Sequence, residues 1–238
     1  MQTLNLFISY DALQDSAARY PPPRCFPGTR KKEKEIIRRW IEKPKSCSSV
    51  FLIQGRTTVG KTVFMQTIAE QLQAENRHPY ACFFFNRGVV GCHNMDRLFS
   101  TLAYQLAINM PSMREHIEQA VMDDPALPRR SAATQLQKLI IIPFKLLLTP
   151  PPSLILIIDG LDECEGEESQ DAFLSLFSGL QGHEYERAGG CLVLDHDSNP
   201  AVAIYLSKYT AFFSFFYLNS WSTASDDSLL APSRTLTN

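Results

Sequence analysis

Residues 55–62 read Gly-Arg-Thr-Thr-Val-Gly-Lys-Thr. A glycine, four variable residues and then Gly60-Lys61-Thr62 give the spacing G-x-x-x-x-G-K-S/T, which suits a main-chain cradle for phosphate. Two glycines let the backbone turn tightly and approach an anion that a Cβ would hold away. Successive amides along Gly55, Arg56, Thr57, Thr58, Val59 and Gly60 then make a concave anion site. A helix starting near Lys61 adds unpaired N–H groups and the positive end of its dipole. Lys61 is expected to reach the β- and γ-phosphates, and Thr62 to place its hydroxyl on Mg2+.

A second set of chemical residues, Asp159-Gly-Leu-Asp-Glu163, follows the five-residue apolar run 154–158. In a parallel α/β sheet ligands sit beyond the carboxyl ends of the strands. Asp159 is therefore expected beside the Mg2+ held by Thr62, binding it directly or through water. Gly160 leaves room there. Asp162 and Glu163 stand close enough to orient or deprotonate an attacking water, and are the candidate catalytic residues. Each half also has a plainer reading, as a glycine-rich turn or as loop acids that solvate or cap. Finding both halves of one site in one chain weighs against it.

The surrounding elements are those such a site requires. Residues 50–53 are a short apolar run suited to a buried parallel strand. Val63, Phe64, Thr67, Ile68 and Leu72 recur at helical spacing, predicting a helix to about Ala74, closed by Asn76 and Pro79. Ile36, Ile37, Trp40 and Ile41 mark an earlier amphipathic helix, ended by Pro44. Residues 80–85 predict a second strand. Asn94 is the expected N-cap of a helix carrying Leu98, Phe99, Leu102 and Leu106. Pro111 opens another helix, stopped at Asp124. Residues 131–148 read as helical, with Pro143 kinking the helix or starting a second piece. Residues 172–180 predict one more helix, and Cys191 to Leu194 one more core strand.

Composition narrows the class. The chain has 238 residues, a formal net charge of −2 and 45% hydrophobic residues, which suits a soluble globular domain and leaves no electrostatic footprint for nucleic acid. Six cysteines include no C-x-x-C pair, so reduced, mostly buried thiols in an intracellular, cytoplasmic protein are expected rather than a metal centre. No signal peptide is indicated. Residues 201–218 approach the length of a membrane span. Lys208 at their centre would cost roughly 2.5–3.5 kcal/mol on insertion, so a span is not expected.

The pairing of GRTTVGKT with LILIIDGLDEC resembles the NACHT family of signal-transducing P-loop ATPases. The flanking text is similar to fungal nephrocystin-like members: a C-x-P-G-T-R turn (residues 25–30), an I-x-x-W helix (37–40), F-F-F-x-R-G (83–88), R-L-F-x-T-x-A-Y-Q-L (97–106) and T-Q-x-Q-K-L-I (134–140). The resemblance covers about residues 25–186. It implies an α/β, three-layer P-loop NTPase fold of STAND class with a parallel sheet, as in NOD-like receptors. It further implies ATP, with GTP left open, and Mg2+ as cofactors, and a homo-oligomer or another NACHT protein as partner.

The expected organisation is a linker or remnant at 1–24, a truncated NACHT domain at 25–187 and a divergent, disordered tail at 188–238. The strand after Glu186 should end in a sensor arginine within S-R-P. Residues 191–200 read CLVLDHDSNP instead, and no winged-helix part follows. A shifted frame, a retained intron or a truncated gene model would account for this. The functional expectation is nucleotide binding with weak or absent hydrolysis. The alternative is a non-catalytic interaction fragment of a NOD-like receptor.

Overall fold

The structure is a computed structural model that describes residues 1–42, 50–55, 58–149, 154–166, 172–173, 175–176, 190–197 and 213–217. Its strands are β1 (Val50–Gly55), β2 (Tyr80–Phe84), β3 (Leu154–Asp159), β4 (Gly190–Asp197) and β5 (Phe213–Tyr217). They form one sheet in the order β2-β3-β4-β1-β5, and each neighbouring pair is parallel. Parallel neighbours need crossovers, which place helices on both faces and bury both sides of each strand. This is why β2 and β3 read as unbroken apolar runs: every residue in them is buried.

The helices are α1 (Gln2–Asn5), α2 (Lys31–Glu42), α3 (Lys61–Glu75), α4 (Leu98–Asn109), α5 (Pro111–Asp123), α6 (Ala132–Gln135) and α7 (Ile142–Lys145). Side chains alternate across the sheet with period two, and the two cores follow that alternation. Phe51, Ile53, Cys82, Phe84, Ile155 and Ile157 pack with Ile37 and Trp40 of α2 and Phe64, Ile68 and Leu72 of α3. Leu52, Ala81, Phe83, Leu156 and Ile158 pack with Leu102 and Leu106 of α4 and Ile117 of α5. The result is the three-layer α/β arrangement of a P-loop NTPase. Each fully buried isoleucine or phenylalanine contributes about 1.5–3 kcal/mol, so β3 is anchored on both sides just before it delivers Asp159.

Several elements depart from their expected form. Asn94 does not cap α4. Its Oδ1 accepts from the Asp96 amide at 3.2 Å, the Leu98 amide donates to the Met95 carbonyl, and α4 starts only after Arg97. A local turn satisfied by the asparagine side chain competes with capping. The helix over 131–148 runs on without a break as α6, a π-helical stretch at Leu136–Ile141 and α7; the widened stretch lies just ahead of Pro143, which has no N–H to donate. Of the helix expected over 172–180, residues 172–173 and 175–176 are helical and the rest lie outside the described residues.

Described residues on both sides of the expected 25–187 domain pack into it. Residues 1–24, expected to be a linker, bury Leu4, Ile8 and Ala12. They are tied down by the Ser9 amide, which donates to Thr101 Oγ1 at 2.9 Å, and by Arg97, which donates to the Ile8 carbonyl at 3.0 Å. β4 takes in the strand expected over Cys191 to Leu194, and β5 comes from further along 188–238, expected to be a tail. β4 lies between β1 and β3, and β5 pairs with β1. Among the described residues no helix is long and apolar enough to cross a membrane.

Candidate functional site

β1 delivers Gly55 to the edge of the sheet, and α3 begins six residues later at Lys61. Arg56 and Thr57 lie outside the described residues. The remainder of the loop is turned by left-handed backbone at Thr58 (φ 73°) and Gly60 (φ 86°). A Cβ on Gly60 would meet only Val63 Cβ at 3.9 Å. The positive φ, rather than crowding, therefore calls for glycine here. Lys61 is only 7% exposed, and its Nζ donates to the Gly55 carbonyl at 3.0 Å, folding the ammonium back across its own loop. Thr62 sits half-buried in the first turn of α3.

The outer wall of the loop is held by the turn that precedes α2. Arg30, with φ 55°, donates through Nη2 to the Val59 carbonyl at 3.0 Å and pairs with Glu33 at 3.2 Å. The Cys25 amide donates to Thr67 Oγ1 on α3 at 2.9 Å. The C-x-P-G-T-R text is thus a brace between the loop and its helix.

Asp159 ends β3 and is 2% exposed. Gly160 follows with φ 70°. A Cβ there would come within 3.3 Å of the Phe85 carbonyl, so both space and backbone demand glycine. Asp162 and Glu163 lie in the 3-10 turn Leu161–Glu163. Arg87 ties that turn to the end of β2: its amide donates to Glu163 Oε2 at 3.1 Å and its Nη2 to the Asp162 carbonyl at 2.8 Å. Arg30 and Arg87 were visible in sequence only as parts of C-x-P-G-T-R and F-F-F-x-R-G. Nothing in their spacing gave their contacts.

The two halves share one edge of the sheet. β1 and β3 each run parallel to β4, so their carboxyl ends point the same way. Leu194 is level with Leu52 on one side and Ile158 on the other. Two strand spacings, about 10 Å, separate the lines that end in Gly55 and Asp159. The donors suit Mg2+, a hard cation that takes oxygen ligands and relies on phosphate and water for the rest of its shell. Among the described residues no three His, Cys, Asp or Glu side chains gather to hold a metal by themselves.

Among the described residues Cys25, Cys82, Cys92 and Cys164 form no disulfide, and burial pushes Cys82 up to about 12 and Cys164 to about 11.

The model of the family described as "Nephrocystin 3, N-terminal" matches residues 31–188. Comparison with curated proteins gives no match. Among solved structures, the chain is similar to a Walker-type ATPase of Pyrococcus abyssi at 14% identity, over 79% of this chain and 53% of that one, with a TM-score of 0.48. It is similar to Cdc6p from Pyrobaculum aerophilum at 15% identity, over 86% and 50%, with a TM-score of 0.49. It is similar to AMPPCP-bound DnaA from Aquifex aeolicus at 14% identity, over 88% and 50%, with a TM-score of 0.36. The chain spans about half the length of each of these three proteins.

Proposed function

The chain belongs to the nephrocystin 3 N-terminal family, and we propose that it binds a nucleoside triphosphate, ATP or GTP, with Mg2+, as a NACHT-type signalling core of STAND class with weak or absent hydrolysis. The observation that supports this reading is that β1, ending in Gly55, and β3, ending in Asp159, run the same way on either side of β4, so that both finish at one edge of a parallel sheet.

In this reading Lys61 exchanges the Gly55 carbonyl for a phosphate oxygen. The Thr62 hydroxyl and the Asp159 carboxylate would hold the metal, and Asp162 and Glu163 would orient water. Mg2+, when bound, neutralises charge between the β- and γ-phosphates. Weak hydrolysis is supported by β4, which ends in Asp195-His196-Asp197 at the place where the NACHT resemblance calls for a sensor arginine.

The test is equilibrium binding of a fluorescent ATP analogue, with unlabelled GTP as competitor. Replacing Lys61 by alanine removes a charge-assisted contact and should weaken binding about 10- to 100-fold. Equal affinity in wild type and Lys61→Ala overturns the proposal.

A further inference from the structure

Arg19 lies in the 3-10 turn Ala17–Arg19, outside the stretch that matches the family. Its guanidinium nonetheless reaches the layer between β2 and α3, beside the strand that ends in Asp159. The Arg19 Cζ stands 3.8 Å from the centroid of the Phe84 ring. Phe84 is the register partner of Asp159 across β2 and β3, and both side chains project from the sheet face that α3 covers, by the period-two alternation. Arg19 Nη2 donates to Gln66 Oε1 at 3.0 Å. Gln66 is 1% exposed and stands one helical turn beyond Thr62 on α3. Its own amide donates to the Gln14 carbonyl at 2.9 Å and to Glu70 at 3.0 Å. Arg19 is thereby wedged between Phe84 at the end of β2, the neighbour of the acidic strand, and Gln66 in the second turn of the phosphate-loop helix. Its Nε is buried with no hydrogen-bond partner among the described residues.

We propose that Arg19 is a positioning residue for the nucleotide site: supplied by the N-terminal segment, it sets the Asp159 carboxylate for Mg2+ through its charge and its perch on Phe84. A planar guanidinium suits this role, because it stacks on an aromatic face while presenting in-plane donors. The electrostatics agree. Burial pulls Arg19 below its ordinary value, and Asp159 is the foremost charge opposing that shift, ahead of Cys82, Cys92 and Glu163. A cation held in a part-buried site interacts more strongly with a buried carboxylate than it would in water. The N-terminal segment thus becomes part of the machinery rather than its lead-in, because undocking it would withdraw Arg19.

This inference rests on the proposed nucleotide site, and two measurements separate its failure from that of the site. The first needs no nucleotide. In a double-mutant cycle on unfolding of the full chain, Arg19→Ala should destabilise the wild type and have markedly less effect in the Asp159→Asn background. Additive effects overturn the proposal. The second compares affinity for the fluorescent ATP analogue in EDTA and in Mg2+. Arg19→Ala and Arg19→Gln should leave the EDTA affinity within about twofold and reduce the gain from Mg2+ by about tenfold, with Arg19→Lys restoring part of it. An unchanged Mg2+ gain overturns the proposal. So does an equal loss with and without Mg2+, which marks a merely structural arginine. Absence of binding by the wild type in both conditions counts instead against the nucleotide site itself, and the cycle still decides the Arg19–Asp159 coupling.

Discussion

At Gly160 a left-handed backbone and a close carbonyl act on the same atom. An added Cβ would carry the strain of φ 70° and also press on the Phe85 oxygen at 3.3 Å. Gly28 has a similar φ of 85° with nothing within 4 Å, so it isolates the backbone part alone. Gly28→Ala should cost about 1–2 kcal/mol, and Gly160→Ala more, up to about 3 kcal/mol, read by thermal unfolding. Equal losses would show that the contact with Phe85 is harmless. Ionisable residues in the core set a second expectation. Burial raises Cys82 from 9.0 to about 12 and Tyr80 from 10.0 to about 12. Both groups ionise more easily in the unfolded chain, so their contribution to stability is complete below about pH 9 and lost as pH rises towards 12. The denaturant midpoint should fall across that window, and Cys82→Ala should flatten the first part of the fall.

Among the elements, β2 lies at one edge of the sheet and would present unpaired backbone groups there. The Gln105 side chain on α4 closes that edge as a strand would. Its Oε1 accepts from the Cys82 amide at 3.0 Å, and its Nε2 donates to the Cys82 carbonyl at 2.7 Å. Asn109 adds a 3.4 Å bond to the Tyr80 carbonyl. Gln105→Ala should cost about 1–3 kcal/mol, because it strands two buried backbone groups, and should raise light scattering on mild heating as the edge becomes available for pairing. Gln105→Glu keeps the acceptor and loses the donor, so an intermediate loss is expected. The predicted strands and the principal helices were legible because apolar runs and helical periodicity are local signals. Start points were less so: the Asn94 side chain satisfies a turn, and α4 waits until Leu98.

At the scale of the whole molecule, the segment before the family match behaves as core. Leu4 is fully buried among α4 and α5 residues, and Leu4→Ala should destabilise the domain by about 2–5 kcal/mol in denaturant unfolding. A loss under 1 kcal/mol would return residues 1–24 to the status of a linker. What the sequence by itself determined was the chemistry and the layering. The loop from Gly55 to Thr62 and the acids from Asp159 to Glu163 are contiguous text, and unbroken apolar strands between amphipathic helices dictate a parallel sheet covered on both faces. Only the tertiary structure decided which distant residues serve that chemistry. Arg30 and Arg87 brace the loop and the acidic turn from separate segments, the strand expected over Cys191 to Leu194 takes its place between β1 and β3 as β4, and β5 enters the sheet from a stretch that reads as a tail. Strand order, register and the reach of long side chains come from packing between segments far apart in the chain, and no local pattern carries them.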